Sequence, residues 1–411
     1  MKKLVALVLA LTMLCSMAAL AVAEEEHEPV TIEFLCWGAA ETTTADAFNA
    51  MIEGFEAKYP WITVEVTESN YDGVNTSLLT RVASGSAPDV AQVSNQWVAA
   101  YVEMEGVIPL EELFDEATIA DFYTGSMEGT VIDGKHYSAA WIMQPFGLYC
   151  NMDLLAQAGY DHVPTTWAEY IQMARDVAKI GKNAEGNTVY GLTLGTQVLA
   201  NAGYGILPNI WAHGGEFFAE DGSLAFNSEA TVAAYTELQD LVKEGVIATG
   251  LQIVDNRSLF GNGQVAFHID APSQVANFSK INLAVANIPE TSTITSDHHI
   301  CVFEGTEHPE ECALLVDYLT GPEGMDLYTQ HNSVICARYS VESLPYFQNV
   351  EGTTAVFFKM APTAKSLPVQ TSSFVAAMEA IAEGVQSLTI GLEDPAKVVE
   401  ETAVALSEYY K

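Results

Sequence analysis

The side chains best suited to chemistry in this sequence come just after short apolar runs. Trp37 follows Val30–Cys36 and precedes Gly38-Ala39-Ala40, so its ring leaves a strand among small neighbours that favour exposure. An indole in that setting can stack on the apolar C–H face of a sugar ring. Asn95 and Gln96 follow a third apolar run that begins at Val90, and their amides offer both donors and acceptors to hydroxyl groups. Asp270 follows the run 264–269 and adds a carboxylate. Open α/β sheets place ligand contacts in just such segments, beyond the carboxyl ends of strands.

Two reactive readings compete with binding. A metal site would join Asp297, His298 and His299 to His268 and Asp270, because alternate residues of one strand face the same way. Adjacent histidines point apart on a strand, however, and the spacing matches no metal signature. His299 is kept as a hydrogen-bonding candidate and no metal is expected. Paired carboxylates could instead hydrolyse a glycoside. With 54 acidic residues chance pairs are abundant, while a nucleophile elbow, a zinc-binding helix and a phosphate-cradling glycine loop are all missing. Neither catalysis nor a cofactor is expected.

The bulk sequence narrows the setting. Lys2 and Lys3, the apolar run 4–14 and the ending Ala21-Val22-Ala23 have the order of a cleaved secretory signal spanning 1–23. The segment 4–23 could also just span a bilayer, but Ala at −3 and −1 suits signal peptidase. Cys15 lacks the residues that lipidation would need before it. The formal net charge of −38 repels phosphate backbones and excludes nucleic acid as a partner. Cys36, Cys150, Cys301, Cys312 and Cys336 are too scattered for a disulfide framework or zinc pairs, and read as small buried hydrophobes.

Strand and helix signals alternate from Val30 onward. Ile32, Phe34 and Cys36 share one face of a strand, and Phe48, Met51, Ile52, Phe55 and Tyr59 share one face of a helix that Pro60 ends. A second strand over 61–66, a helix through Val74, Leu78 and Val82, and a third strand from Val90 complete a βαβα order, which implies a parallel sheet flanked by helices. Further on, Thr166 and Glu169 form a capping box, Asn227 or Ser228 caps a long helix, and 264–269 and 281–286 read as strands. Pro309 starts a helix that Gly321-Pro322 stops, and Asp394-Pro395 opens the last one.

Several segments then carry a resemblance in order: Phe55-Glu56-Ala57-Lys58-Tyr59-Pro60, Ser84-Gly85-Ser86-Ala87-Pro88-Asp89-Val90, Gly106-Val107-Ile108-Pro109-Leu110, Gly147-Leu148-Tyr149-Cys150-Asn151, Pro164-Thr165-Thr166-Trp167, Gly214-Gly215-Glu216 and Gly263-Gln264-Val265-Ala266-Phe267. Together they resemble the family 1 extracellular solute-binding proteins, the group that includes the maltose-binding protein, over nearly the whole chain after the signal. The resemblance implies an α/β, two-lobed type II periplasmic-binding-protein fold with a ligand cleft between the lobes. It places crossings near residues 138–140, 295–298 and 321, giving lobe 1 as 24–140 plus 299–320 and lobe 2 as 141–298 plus 321–411.

The same resemblance implies an exported receptor of an ABC importer, periplasmic or extracellular, and a monomer is expected. Such a receptor would capture a small solute, foremost a carbohydrate, and deliver it to a membrane permease. A polyamine, phosphate ester, peptide or metal chelate is the alternative cargo. Relatives have polar contacts at positions matching Asn95, Gln96 and Gln144, with an aromatic at Tyr204. Trp97, Trp141 and Trp211 adjoin those positions and are candidates for the cleft or for the packing beneath it. Carbohydrate binders often carry Gly-Pro-Trp where this chain has Ala271-Pro272-Ser273, so Ser273 stands in place of a stacking tryptophan.

Overall fold

A computed structural model describes residues 27–41 and 44–410; the signal expected over 1–23 lies outside them. Two separate sheets organise the chain. The first takes β1 (Val30–Cys36), β2 (Ile62–Glu68), β3 (Val90–Ser94), β4 (Ala139–Ile142) and, much later, β9 (His298–Val302), in the order β2-β1-β3-β9-β4. The second takes β5 (Gly147–Asn151), β6 (Tyr190–Leu192), β7 (Val265–Asp270) and β8 (Leu283–Ala286), in the order β8-β5-β7-β6.

Alternation explains the first strand: Ile32, Phe34 and Cys36 are fully buried, while Thr31 is exposed and Glu33 half-buried. β1 runs parallel to β2 and β3, as the βαβα order requires. The sheet is nevertheless mixed, because β9 enters antiparallel between β3 and β4. A return strand from two hundred residues downstream leaves no local signal of its direction.

The helices begin where the sequence places caps. Ser228 Oγ accepts the Thr231 N–H, Thr166 Oγ1 accepts the Glu169 N–H at 3.1 Å, and Asp394 accepts the Lys397 N–H at 3.1 Å. The reciprocal half of the Thr166–Glu169 box shifts by one residue: Glu169 Oε2 accepts from the Thr165 N–H at 2.6 Å. All five described cysteines are buried and free.

The sheets also fix where the chain changes lobe. β4 belongs to the first sheet through Ile142, so the first departure falls at 143–146, a few residues beyond the expected 140. Gly321 separates two helices without moving the chain. The helix Pro322–Thr329 packs on Ala45–Lys58 of the first lobe, and Arg338 holds Asp121 at 2.7 Å and Asp317 at 2.7 Å. The next helix to pack against the second sheet is Gly352–Met360. The expected third crossing at 321 therefore moves into the 344–351 connection, because the apolar face of Pro322–Thr329 is buried on lobe 1.

Candidate functional site

A cavity of about 600 Å³ opens between the two sheets, within the range of small-ligand sites. It lies where β1 and β3 end, where β9 begins, and where β7 ends in Ala271-Pro272-Ser273. The first lobe supplies Trp37, Tyr71, Gln92, Ser94, His298 and Tyr328; the second supplies Ala271, Pro272, Ser273, Val275 and Phe357; Met143, Gln144, Phe146 and Ser296 line it from the connections that cross between the lobes.

The first-lobe wall is tightly assembled. Trp37 meets His298 edge-on with ring centroids 5.1 Å apart, Tyr71 at 5.5 Å and Trp97 at 5.8 Å. Gln92, in the middle of β3, points its amide oxygen at the turn after β1, accepting the Gly38 N–H at 3.0 Å. Gly38 is required there, since a Cβ would lie 2.4 Å from the Phe48 ring. Burial lowers the pKa of His298 to about 4, so its ring is neutral at ordinary pH. Tyr71 gives this wall its open surface: the residue is 46 % exposed while Trp37 is 2 % exposed.

Trp37 thus lines the cavity, but as the buried ring behind Tyr71 rather than as the exposed indole its small neighbours suggested. Gln144 lines it too, with its backbone N–H bound to Asp297 Oδ1 at 2.9 Å. Trp97 buttresses Trp37 from outside the lining, and Gln96 spends its amide on Ser296 at 2.9 Å. Asn95 is fully buried, its backbone N–H on Asp297 and its side-chain nitrogen 3.5 Å from Ser366. Trp141 packs into the lobe 1 core against Phe34 and Phe48. Trp211 lies under Lys365, 5.0 Å from the ring. The adjacent histidines do point apart. His298 faces the cavity, whereas His299 is turned into the fold and meets Ser138 Oγ at 2.8 Å.

Asp270 and Tyr204 open instead on a smaller neighbouring cavity of about 190 Å³ within lobe 2. Asp270 is already paired: Arg257 Nε and Nη2 donate to its two oxygens at 2.6 and 2.8 Å, and His268 Nε2 sits 2.8 Å from Oδ2. Burial pushes the carboxyl's pKa up, and the Arg257 and His268 contacts outweigh it, leaving it at about 2. The carboxylate expected among the ligand contacts is therefore neutralised from within. Asp297 is the converse. Burial dominates the bonds from Thr295 and Gln144 and raises its pKa to about 7 at the crossing between the lobes.

Tyr71, Gln92, Tyr328 and Phe357 were not singled out from the sequence, and His298 was weighed there only as a metal candidate. Only Gln92 left a signal, an amide interrupting the apolar run Val90-Ala91-Gln92-Val93.

The model of the bacterial extracellular solute-binding protein family matches residues 39–326. A binding protein of Brucella abortus (strain 2308) is 24% identical over 376 residues, covering 88% of this chain and 89% of that one. The sn-glycerol-3-phosphate-binding periplasmic protein of Yersinia pestis is 26% identical over 309 residues, covering 69% and 65%. Among solved structures, the cyclic alpha-maltosyl-1,6-maltose binding protein of Arthrobacter globiformis superposes with a TM-score of 0.81 at 21% identity, covering 92% of this chain and 98% of that one.

Proposed function

The chain belongs to the bacterial extracellular solute-binding proteins, and from that premise we propose that it captures a neutral carbohydrate by lobe closure and delivers it to the permease of an ABC importer. The observation that carries the ligand class is the make-up of the large cavity. Aromatic rings line it, Tyr71 and Phe146 with open surface and Trp37, Phe48, Tyr328 and Phe357 packed behind them, and Gln92, Ser94, Gln144, Ser296, Asn332 and Thr353 supply neutral hydrogen-bonding groups. Among the described lining residues Glu41 is the sole acid, and neither lysine nor arginine occurs.

That chemistry fits a hydroxylated ring with apolar C–H faces. A phosphate ester, as bound by the Yersinia relative, would sit here without a cation to pair its charge, at a large desolvation cost. A polyamine would find one carboxylate where two or more ammonium groups need partners. No bond needs to be broken, because differential affinity for the closed arrangement is enough to shift the population. Export through the signal at 1–23, retention outside the cytoplasm and action as a monomer complete the reading.

The test is a thermal-shift screen of the exported protein over sugars, polyols, sugar phosphates and polyamines, followed by small-angle scattering with the best hit. A ligand that binds only the folded state raises its melting temperature by mass action. The expected result is a neutral sugar as the strongest hit, with a smaller radius of gyration at saturation. A hit restricted to anions or cations, or scattering unchanged at saturation, would overturn it.

A further inference from the structure

The 190 Å³ cavity in lobe 2 is more than a packing gap. It opens beyond the ends of β6 and β7, which are parallel neighbours, the position at which open α/β sheets bind ligands. Its walls are polar in an ordered way. Thr193 Oγ1 meets His268 Nδ1 at 2.7 Å, His268 Nε2 meets Asp270, and Asp270 is bound bidentately by Arg257 through Nε and Nη2, leaving Nη1 for a further acceptor. Beside them Asn256 is 1 % exposed, and its side-chain oxygen has no hydrogen-bond partner among the described residues. A buried acceptor without a donor is costly, and a fold retains one where something else fills the bond. Phe146 lines both cavities.

We propose that this pocket is a second binding compartment that takes a hydroxyl-bearing end group of the ligand, with Asn256 Oδ1 accepting one hydroxyl and Arg257 Nη1 donating to its neighbour. The pairing is suited to a vicinal diol, in which adjacent hydroxyls donate and accept side by side. The matched charges of Arg257 and Asp270 select a neutral group, since an added anion or cation would unbalance the pair. Tyr204 lines the pocket beside Phe146, with 6.5 Å between ring centroids. The inference rests on the carbohydrate reading and deepens it: the solute is held at one end inside lobe 2, not only between the lobes.

The test uses the full mature chain, titrated calorimetrically with D-glucose, D-mannose, D-fructose, maltose and maltotriose. Whichever of these binds wild type is then titrated into Asn256→Leu. Because the oxygen that leucine removes bonds nothing in the protein, the ligand-free melting temperature should hold or rise, while affinity falls tenfold or more. A purely structural asparagine would give the reverse pattern, a lower melting temperature with affinity kept. A crystal structure with the bound sugar covers the case in which leucine is not tolerated, and should show a sugar hydroxyl within hydrogen-bond distance of Asn256 Oδ1. Wild-type affinity in Asn256→Leu, or a pocket holding water alone beside a bound sugar, would sink the compartment and leave the carbohydrate reading standing. If none of the five sugars binds wild type, both fall.

Discussion

The two walls of the large cavity are built on opposite plans. On the first lobe, aromatic rings and buried amides lock one another: Trp37 against Tyr71, Trp97 and His298, with Gln92 tying β3 to the turn after β1. On the second lobe the small residues Ala271-Pro272-Ser273 form the wall with Val275 and the buried Phe357, and its polar machinery stands behind it in the Arg257–Asp270–His268–Thr193 chain. One lobe offers area and the other offers a charge-neutral network. A cleft made this way can hold a ligand on its first lobe before the second closes over it.

The largest effect should come from removing the keystone of the first wall. Trp37→Ala empties a fully packed site and should cost about 3–5 kcal/mol of folding stability, read from urea unfolding, in addition to weakening the ligand. A loss below about 1 kcal/mol would mean that the aromatic wall is not interlocked.

On the second lobe the counterpart is Arg257→Met, which leaves Asp270 buried without its cation. Because Arg257 is itself a third exposed, the cost should reach up to about 3 kcal/mol, below the full range for a buried pair. The pH dependence has a definite sign. The folded pKa of Asp270, at about 2, lies below its unfolded value of about 3.9. Its contribution is therefore complete above that unfolded value and is lost as pH falls toward 2. In Arg257→Met the acid loss should begin at higher pH, in stability curves recorded from pH 7 downward. An unchanged acid limb would remove Arg257 as the source of the shift.

Tyr71→Ala should separate surface from scaffold. Its ring is exposed, so stability should stay within about 1 kcal/mol while sugar affinity drops by about 1–3 kcal/mol, the scale of an aromatic anchor. Ser273→Ala, on the second wall, should change either quantity by less than about 0.5 kcal/mol. If Ser273 outweighs Tyr71 in calorimetry, the contrast between the walls is inverted.

How much of this was legible in the sequence follows from the range of the forces involved. β1, its following helix and the caps at Thr166, Ser228 and Asp394 are set by local alternation and local hydrogen bonds, and they stand where the residues placed them. The insertion of β9 between β3 and β4 is decided by packing across the whole chain. The same division governs the site. Trp37 and Gln144 are brought to the cavity, but the parity that turns His298 inward and His299 away depends on a β9 register that irregular pairing shifts between these two residues. Asp270 was visible at the end of its strand. Arg257, thirteen residues earlier on the helix Ile253–Gly261, gave no sign that it would neutralise it. Tyr328 and Phe357 reach the cavity because the late segment returns to both lobes, which no local pattern records.

The most direct test of a neutral-ligand cleft is calorimetric titration of a neutral sugar, sn-glycerol-3-phosphate and spermidine at about 20 and about 500 mM salt, concentrations that span weak to strong screening. The expected result is binding of the sugar with an affinity that changes less than about twofold between the two conditions, and no heat from either ion. Salt-sensitive binding of the phosphate or the polyamine, with no sugar bound, would contradict it.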